Sequence, residues 1–210
     1  MTKVLILGAG GRIARHAVAS LAESADVEQT LFLRNPAQLT DVPANARVLA
    51  GDVLDHARLE AAVRGHDLVY ANLAGELDQQ ARTIAASMTA VDVRRLVFVT
   101  ALGIYDEVPG KFGEWNRRQI GSMLGPYRAA ADVIETSGLD YTILRPAWLT
   151  DHDEVDFEVT QKGEPFKGTE VSRKSVAALI VGLVKDPSRE SGANLGINKP
   201  GSDGDKPAFV

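Results

Sequence analysis

The sequence contains no cysteine. This excludes disulfide bridges, thiolate metal sites and cysteine nucleophiles, and it suits a reducing compartment. Long hydrophobic runs are also missing, since the apolar stretch in MTKVLILGAG breaks at a glycine and is too short for a signal peptide or a bilayer span. We therefore expect a cytoplasmic protein with no membrane partner.

A cluster of positive charge is missing as well. The formal net charge is −5 and no block of Lys and Arg occurs, which argues against a nucleic-acid partner. Residues 151–158, DHDEVDFE, combine one histidine with several carboxylates, but their spacing has no regular face. We interpret this segment as a solvated acidic loop and expect no metal site.

Short runs rich in Val, Ile and Leu alternate with stretches of helical spacing. This pattern is typical of an α/β fold in which a parallel sheet is covered on both faces. The length of 210 residues suits one domain. The tail from Gly196 onward is rich in Gly, Pro and Asp, and we predict it to be irregular surface chain. The predicted strands are 3–7, 28–33, 46–50, 67–72, 95–100 and 141–145.

The first predicted strand is followed by glycines and then by a helix, in the stretch VLILGAGGRIAR. The spacing is G-x-x-G-x-x-A over Gly8, Gly11 and Ala14, with Gly10 in the same loop. Glycines let a backbone approach a diphosphate, and the start of a helix favours its negative charge. The context therefore indicates a dinucleotide loop, and a tight turn in a ligand-free protein is the alternative.

The next two strands end in residues suited to an adenosine. Arg34 follows the second strand, where an arginine accommodates the 2′-phosphate of NADP, whereas an acidic residue would favour NAD. An exposed basic side chain is the alternative for Arg34. Asp52 and Val53 follow the third strand and could meet an adenine edge. A capping role for Asp52 on the next helix is equally open.

Taken in order, GAGGRIA, LFLRNP, GDVLD, GHDLVYAN, RLVFVTALGIY and SGLDYTILRPAWL resemble an atypical short-chain dehydrogenase/reductase of the NmrA-like NAD(P)H-binding kind. The resemblance implies a doubly wound Rossmann-type parallel sheet in a single domain, residues 1–210, with a small C-terminal segment on the substrate side. It also implies NADP(H) as cofactor. The implied contacts are Gly8, Gly10, Gly11, Arg12 and Ile13 at the diphosphate, Arg34 at the 2′-phosphate, Asp52 and Val53 at the adenine, Ala71, Asn72 and Leu73 along the adenosine ribose and diphosphate, and Thr100, Ala101, Pro146 and Ala147 at the nicotinamide.

The catalytic residues of such reductases are not reproduced. They use a Tyr-x-x-x-Lys pair in which the lysine lowers the pKa of the tyrosine, but Tyr127 is followed four residues later by Ala131. The family's Ser or Thr corresponds to Ala101 or Leu102, beside Thr100. Tyr127 and Thr100 are thus the candidate catalytic hydroxyls that are left. Packing of the Tyr127 ring on the sheet is the alternative.

A long connection, residues 102–123, follows the fifth strand, where crevice loops of open α/β sheets bind substrate. It offers Tyr105, Phe112, Trp115 and Asn116 as substrate-binding residues. They form either an aromatic lid over the nicotinamide or a loop that is held down by its own aromatics.

These patterns predict an NADP(H)-binding oxidoreductase that passes hydride to a small electron-poor acceptor, such as a quinone, a flavin or a conjugated carbonyl. An acceptor of this kind tolerates the missing acid because water can protonate the delocalised product. The alternative is a non-catalytic regulatory protein that senses NADP(H). No feature of the sequence predicts the oligomeric state.

Overall fold

The computed structural model describes residues 1–210. The strands are β1 (Thr2–Leu7), β2 (Val27–Leu33), β3 (Ala46–Ala50), β4 (Leu68–Ala71), β5 (Arg95–Val99), β6 (Asp140–Pro146), β7 (Trp148–Thr150), β8 (Glu158–Thr160), β9 (Glu170–Ser172) and β10 (Ala193–Asn198). The α-helices are α1 (Arg12–Ala22), α2 (His56–Val63), α3 (Leu77–Ala90), α4 (Gly110–Ile120), α5 (Leu124–Glu135) and α6 (Arg173–Lys185). Short 3-10 turns occupy Pro36–Gln38 and Gly121–Met123.

The main sheet has the strand order β3-β2-β1-β4-β5-β6-β10-β8. All neighbouring pairs are parallel except β10 and β8, and β7 pairs with β9 in a small separate sheet. The chain reverses its direction of winding between β1 and β4, and such a switch point opens a crevice at the carboxyl ends of the strands. The predicted doubly wound, Rossmann-type sheet is confirmed.

The strands β1, β4 and β5 are buried on both faces, which explains their apolar runs VLIL, LVYA and LVFV. Along β1, Val4 and Ile6 join a first hydrophobic cluster under α1 and α6. Leu5 and Leu7 join a second cluster under α2, α3 and α5. The alternation follows from the two-residue period of a strand.

The prediction of irregular chain from Gly196 onward is wrong for its first residues, because Gly196 to Asn198 lie in β10. A glycine weakens a strand pattern, yet here it is required by its neighbours. A Cβ on Gly196 would lie 2.4 Å from Thr160 Oγ1 and 2.7 Å from the Phe166 ring. Close approach of β8 and of the Phe166 segment therefore favours glycine at this position.

The long connection after β5 contains helix α4, which the sequence analysis did not predict. Its glycines, Gly110 and Gly113, lower the intrinsic helix propensity. A Cβ on Gly113 would lie 2.0 Å from the Val108 carbonyl oxygen, so the helix packs tightly on the chain that precedes it. None of the helices is both long enough and apolar enough to cross a membrane.

Candidate functional site

The glycine loop joins β1 to α1 at the carboxyl edge of the sheet. Gly8 has a φ of +75°. The Gly8 N–H donates to the Phe32 carbonyl at 3.0 Å, and the Gly11 N–H donates to the Gly8 carbonyl at 2.9 Å. Gly11 is the N-cap of α1 and no side chain caps that end of the helix. The first N–H groups of α1 are therefore available to an anion, so this loop fits a diphosphate.

Asn72, at the end of β4, packs directly on this loop. A Cβ on Gly8 would lie 2.2 Å from the Asn72 carbonyl oxygen, and one on Gly11 would lie 2.2 Å from Asn72 Nδ2. Leu73 lies 3.2 Å from the same position on Gly8, and Ala71 is fully buried in β4. The contact between the β1 and β4 loops thus favours glycine at position 8 by a backbone clash, and at position 11 by a clash with the Asn72 side chain.

Arg34 stands at the end of β2 with an exposed side chain that makes no hydrogen bond or ion pair. Nearby, Arg15 Nε donates to the Gly10 carbonyl at 3.0 Å and Arg15 Nη2 donates to the Gln38 carbonyl at 3.0 Å. These bonds fix the outer side of the glycine loop against the turn after β2. Arg34 is therefore free to meet a ligand phosphate at this edge.

Asp52 does not cap the helix that follows it. The N-cap of α2 is Asp55, which accepts from the Arg58 N–H at 3.1 Å. Asp52 Oδ1 instead accepts from the Leu54 N–H at 3.0 Å, which closes a local turn. Val53 is buried in the second cluster. The capping alternative for Asp52 is excluded, and its turn lies at the edge where an adenine is predicted.

Arg12 reaches across the crevice. Its guanidinium forms an ion pair with Asp151, which follows β7. Asp151 also accepts from Arg173 Nη1 at 2.9 Å, and Arg173 side chain is only 14% exposed. The interpretation of the acidic segment as a merely solvated loop missed these contacts, because their cationic partners lie far away in the sequence. Ile13, the next residue of α1, is buried in the first cluster.

The predicted nicotinamide end is formed by the loops after β5 and β6. Thr100 is buried, and its Oγ1 donates to the Leu144 carbonyl at 3.0 Å. The Ala147 N–H donates to the Ile197 carbonyl at 2.9 Å, and Pro146 and Ala147 are buried while Ala101 is partly exposed. The Thr100 hydroxyl is thus already engaged with the backbone.

A buried ion pair shapes the loop after β5. Glu107 accepts from the Gly103 N–H at 3.0 Å and from the Tyr105 N–H at 2.9 Å. Arg145 on β6 pairs with the same carboxylate, and the two side chains are 1% and 5% exposed. Arg145 Nε also donates to Asn194 Oδ1 at 2.8 Å. Breaking such a pair leaves an uncompensated buried charge, so Glu107 and Arg145 hold this loop in place.

Tyr105 is separated from the other aromatics of its segment. Its ring packs against the second cluster, and its hydroxyl donates to Glu135 Oε1 at 2.9 Å. Asn194 Nδ2 donates to the same hydroxyl at 2.8 Å. Burial and the adjacent Glu135 carboxylate raise the pKa of Tyr105. The structure places this residue in a packing role between α5 and β10.

The other three residues of the predicted substrate segment come together. Trp115 stacks with Phe112 at a centroid distance of 6.1 Å and contacts Trp148 at 4.7 Å. Trp148 Nε1 donates to Asn116 Oδ1 at 2.9 Å. Phe112 and Asn116 are buried, whereas Trp115 and Trp148 are partly exposed. Trp148 directly follows Ala147, so this aromatic group adjoins the predicted nicotinamide end.

Tyr127 lies in the first turns of α5 and is half-buried against the second cluster. Burial raises the pKa of Tyr127, which is opposite to the effect of an activating lysine. Its hydroxyl makes no hydrogen bond within the chain, and Ala131 one turn later is fully buried. The arrangement holds the ring against the sheet and supplies no group that would activate the phenol.

Comparison with known proteins gives the family. A Rossmann-fold NAD(P)-binding family protein from Shigella flexneri is 53% identical, with 100% of both chains covered and a TM-score of 0.87. A short-chain dehydrogenase/reductase from Veillonella parvula, solved in complex with NADP, is 28% identical over 99% of both chains, with a TM-score of 0.90. A (4-alkanoyl-5-oxo-2,5-dihydrofuran-3-yl)methyl phosphate reductase from Streptomyces griseus is 28% identical over 143 residues, which are 68% of this chain and 46% of that protein. This chain thus spans less than half of the length of that reductase.

A family model described as NAD(P)H-binding matches residues 8–187. This range includes the glycine loop, the predicted adenosine residues and the loops after β5 and β6. The predicted resemblance is confirmed, and the chain belongs to the NAD(P)H-binding family.

Proposed function

We propose that this protein is an NADP(H)-dependent oxidoreductase that holds its cofactor along the carboxyl edge of the sheet, across the switch point between β1 and β4. The observation that carries the proposal is the uncapped start of α1 beside Gly8 and Gly11, with an unpaired arginine at the end of the neighbouring strand. A diphosphate meets free N–H groups there, and the positive end of the helix dipole favours its charge.

Arg34 supports NADP(H) over NAD(H). A guanidinium at the end of β2 forms charge-assisted hydrogen bonds to a 2′-phosphate, and no acidic side chain occupies that position to bind a ribose hydroxyl. The Veillonella parvula neighbour was solved with NADP, and it is 28% identical to this chain. Asp52 and Val53 lie beside the adenine in this proposal, and Asn72 lies beneath the diphosphate.

The bound NADPH supplies a hydride. The chain's own residues position the acceptor at the nicotinamide end, where Ala101, Pro146 and Ala147 are small or apolar. No side chain there is set up to donate a proton, because the Thr100 hydroxyl is engaged with the Leu144 carbonyl and burial raises the pKa of Tyr127. This favours an acceptor whose reduced form takes its proton from water: a quinone, a flavin or a conjugated carbonyl.

Trp115 and Trp148 are partly exposed and tilted by 58° to each other, so a planar acceptor can stack on the face of one of the two rings. They belong to α4 and to the chain that follows β6. In this proposal residues 1–210 form one NAD(P)-binding domain, whose C-terminal part, with the small β7–β9 sheet, is the substrate side. The Streptomyces griseus relative is named a reductase of an oxo-dihydrofuran compound, which agrees with reduction as the reaction type.

A second candidate function is a non-catalytic NADP(H) sensor. The observation that favours it is the ion pair between Arg12 and Asp151, which joins the cofactor loop to the segment after β7. A phosphate that competes for Arg12 would leave Asp151 paired with Arg173 alone and change the charge distribution on that segment. The engaged Thr100 hydroxyl is compatible with this function too.

NADPH oxidation against a panel of quinones, flavins and conjugated carbonyls tests the two functions. Acceptor-dependent turnover that is lost in Trp115→Ala, with NADPH affinity unchanged, supports the oxidoreductase. Saturable NADPH binding without turnover on any member of the panel supports the sensor. Absence of saturable binding excludes both.

A further inference from the structure

A separate cavity of about 570 Å³ opens at the amino edge of the sheet. The starts of β1, β2 and β3 form it, together with the turn between α2 and β4. Lys3, on its wall, and Gly8 are five residues apart on one extended strand, which places the cavity roughly 16 Å from the glycine loop. Its volume lies within the range of small-molecule sites, roughly 300 to 1,000 Å³. The cavity is therefore large enough for a ligand and distinct from the dinucleotide crevice.

Arg47 is held in this cavity by a chain of hydrogen bonds. Arg47 Nε donates to Thr30 Oγ1 at 2.9 Å, and the Thr30 hydroxyl lies 2.8 Å from His66 Nε2. His66 Nδ1 lies 3.2 Å from the Val63 carbonyl, which can only accept. Burial lowers the pKa of His66, so the neutral ring donates from Nδ1 and accepts the Thr30 proton at Nε2.

This chain of bonds uses only one of the donor nitrogens of Arg47. The two terminal nitrogens make no hydrogen bond, and no carboxylate lies within ion-pair distance of them. Thr30 and His66 are 3% and 7% exposed, so the groups that hold Arg47 Nε are buried, whereas the Arg47 side chain itself is exposed. A guanidinium that is fixed at Nε and open at both terminal nitrogens is preorganised for the two oxygens of an anion.

The ionisable side chains around the cavity carry an excess of positive charge. Its ionisable lining consists of Lys3, Arg47 and Arg64 against the single carboxylate of Glu28, with His66 neutral. Arg64 is paired with Glu60 at 2.9 Å, whereas the Lys3 ammonium has no partner. A cationic cavity is unexpected in a chain whose formal net charge is −5. Lys3 and Arg47 against Glu28 thus leave one excess positive charge on the lining. The Asp67 carboxylate, which accepts from the Lys3 N–H at 2.7 Å, lies next to it.

We propose that this cavity binds a small molecule that carries an oxyanion, either a phosphate ester or a carboxylate. The Arg47 guanidinium binds two of its oxygens, and the Lys3 ammonium adds a second charge. The proposal is independent of the dinucleotide site, because none of these residues lies at the carboxyl edge.

The test is calorimetric titration of the full chain with inorganic phosphate and, separately, with citrate, at constant ionic strength in chloride. Saturable one-to-one binding is expected for at least one probe. Phosphate alone identifies a phosphate ester as the ligand class, and citrate alone identifies a carboxylate. Arg47→Met should weaken the binding roughly 10- to 100-fold, because it removes charge-assisted hydrogen bonds and keeps the apolar stem.

Two matched variants locate the site. Arg82→Met removes an exposed arginine from α3 and should bind the probe like the wild type. Lys3→Met keeps the backbone N–H that donates to Asp67 Oδ2, removes only the ammonium, and should weaken binding. It also covers the case in which Arg47→Met does not fold. The proposal fails if neither probe saturates, or if Arg47→Met and Lys3→Met bind like the wild type.

Discussion

Replacing Gly8 with alanine separates the two demands on the glycine loop, its backbone conformation and its close packing. The φ of Gly8 is +75°, and a left-handed conformation costs an L-residue about 1–2 kcal/mol. The added Cβ would also lie 2.2 Å from the Asn72 carbonyl oxygen, so the β1 and β4 loops must move apart. Overpacking of this kind costs a further ~1–3 kcal/mol. We expect Gly8→Ala to lower the free energy of unfolding by about 2–5 kcal/mol.

Gly138→Ala is the matched control. Gly138 has a φ of +73° and no atom within 4 Å of its Cβ position, so only the conformational cost applies. Urea denaturation of both variants, with an unchanged m-value, measures the difference. Equal destabilisation of the two variants would show that the Asn72 contact yields freely, and would refute the packing argument for Gly8.

The remaining predictions concern the cofactor, the chemistry and pH. In a fluorescence titration, Arg34→Ala should weaken the binding of NADPH roughly 10- to 100-fold and leave the binding of NADH, the internal control, unchanged. Equal losses of affinity for both cofactors would contradict the assignment of Arg34 to the 2′-phosphate. Tyr127→Phe and Thr100→Val should each change turnover less than about tenfold, whereas loss of an essential acid costs about 10²- to 10⁴-fold. Trp115→Ala should reduce turnover more than either of these two variants. Burial lowers the pKa of His66 below its ordinary value of 6.5, so the unfolded chain binds more protons there and stability falls as pH drops through that value. The urea midpoint of the wild type should therefore fall more between about pH 7 and pH 5 than that of His66→Gln, and parallel curves would exclude the effect.

The strands β1, β4 and β5 could be predicted because both of their faces are buried, so each contains an apolar run between turn residues. The sequence of β10 does not show this pattern, because it contains Gly196. Thr160 and Phe166 pack so closely on Gly196 that they leave no room for a side chain. The helix α4 was not predicted because Gly113 lowers the helix propensity of its sequence. The Val108 carbonyl oxygen packs on Gly113 and leaves no room for a side chain there. In both cases tertiary packing prevails over local propensity.

The residues of the site also differ in whether local sequence or tertiary packing determines them. The glycine loop and Arg34 are local features that follow from the positions of strand ends. The pairs Glu107 with Arg145 and Arg12 with Asp151 join residues 38 and 139 positions apart, which no local pattern reveals. One signal was present: an arginine inside the buried β6 strand requires a partner, because an unpaired charge there would be costly.

The most direct test of NADP(H) binding at this edge is a calorimetric titration of the full chain with NADPH and, separately, with NADH. We expect saturable one-to-one binding. NADPH should bind roughly tenfold or more tightly than NADH, since a charge-assisted bond to the 2′-phosphate is available only to NADPH. Failure of both cofactors to saturate, or tighter binding of NADH, would contradict the assignment of this edge to NADP(H).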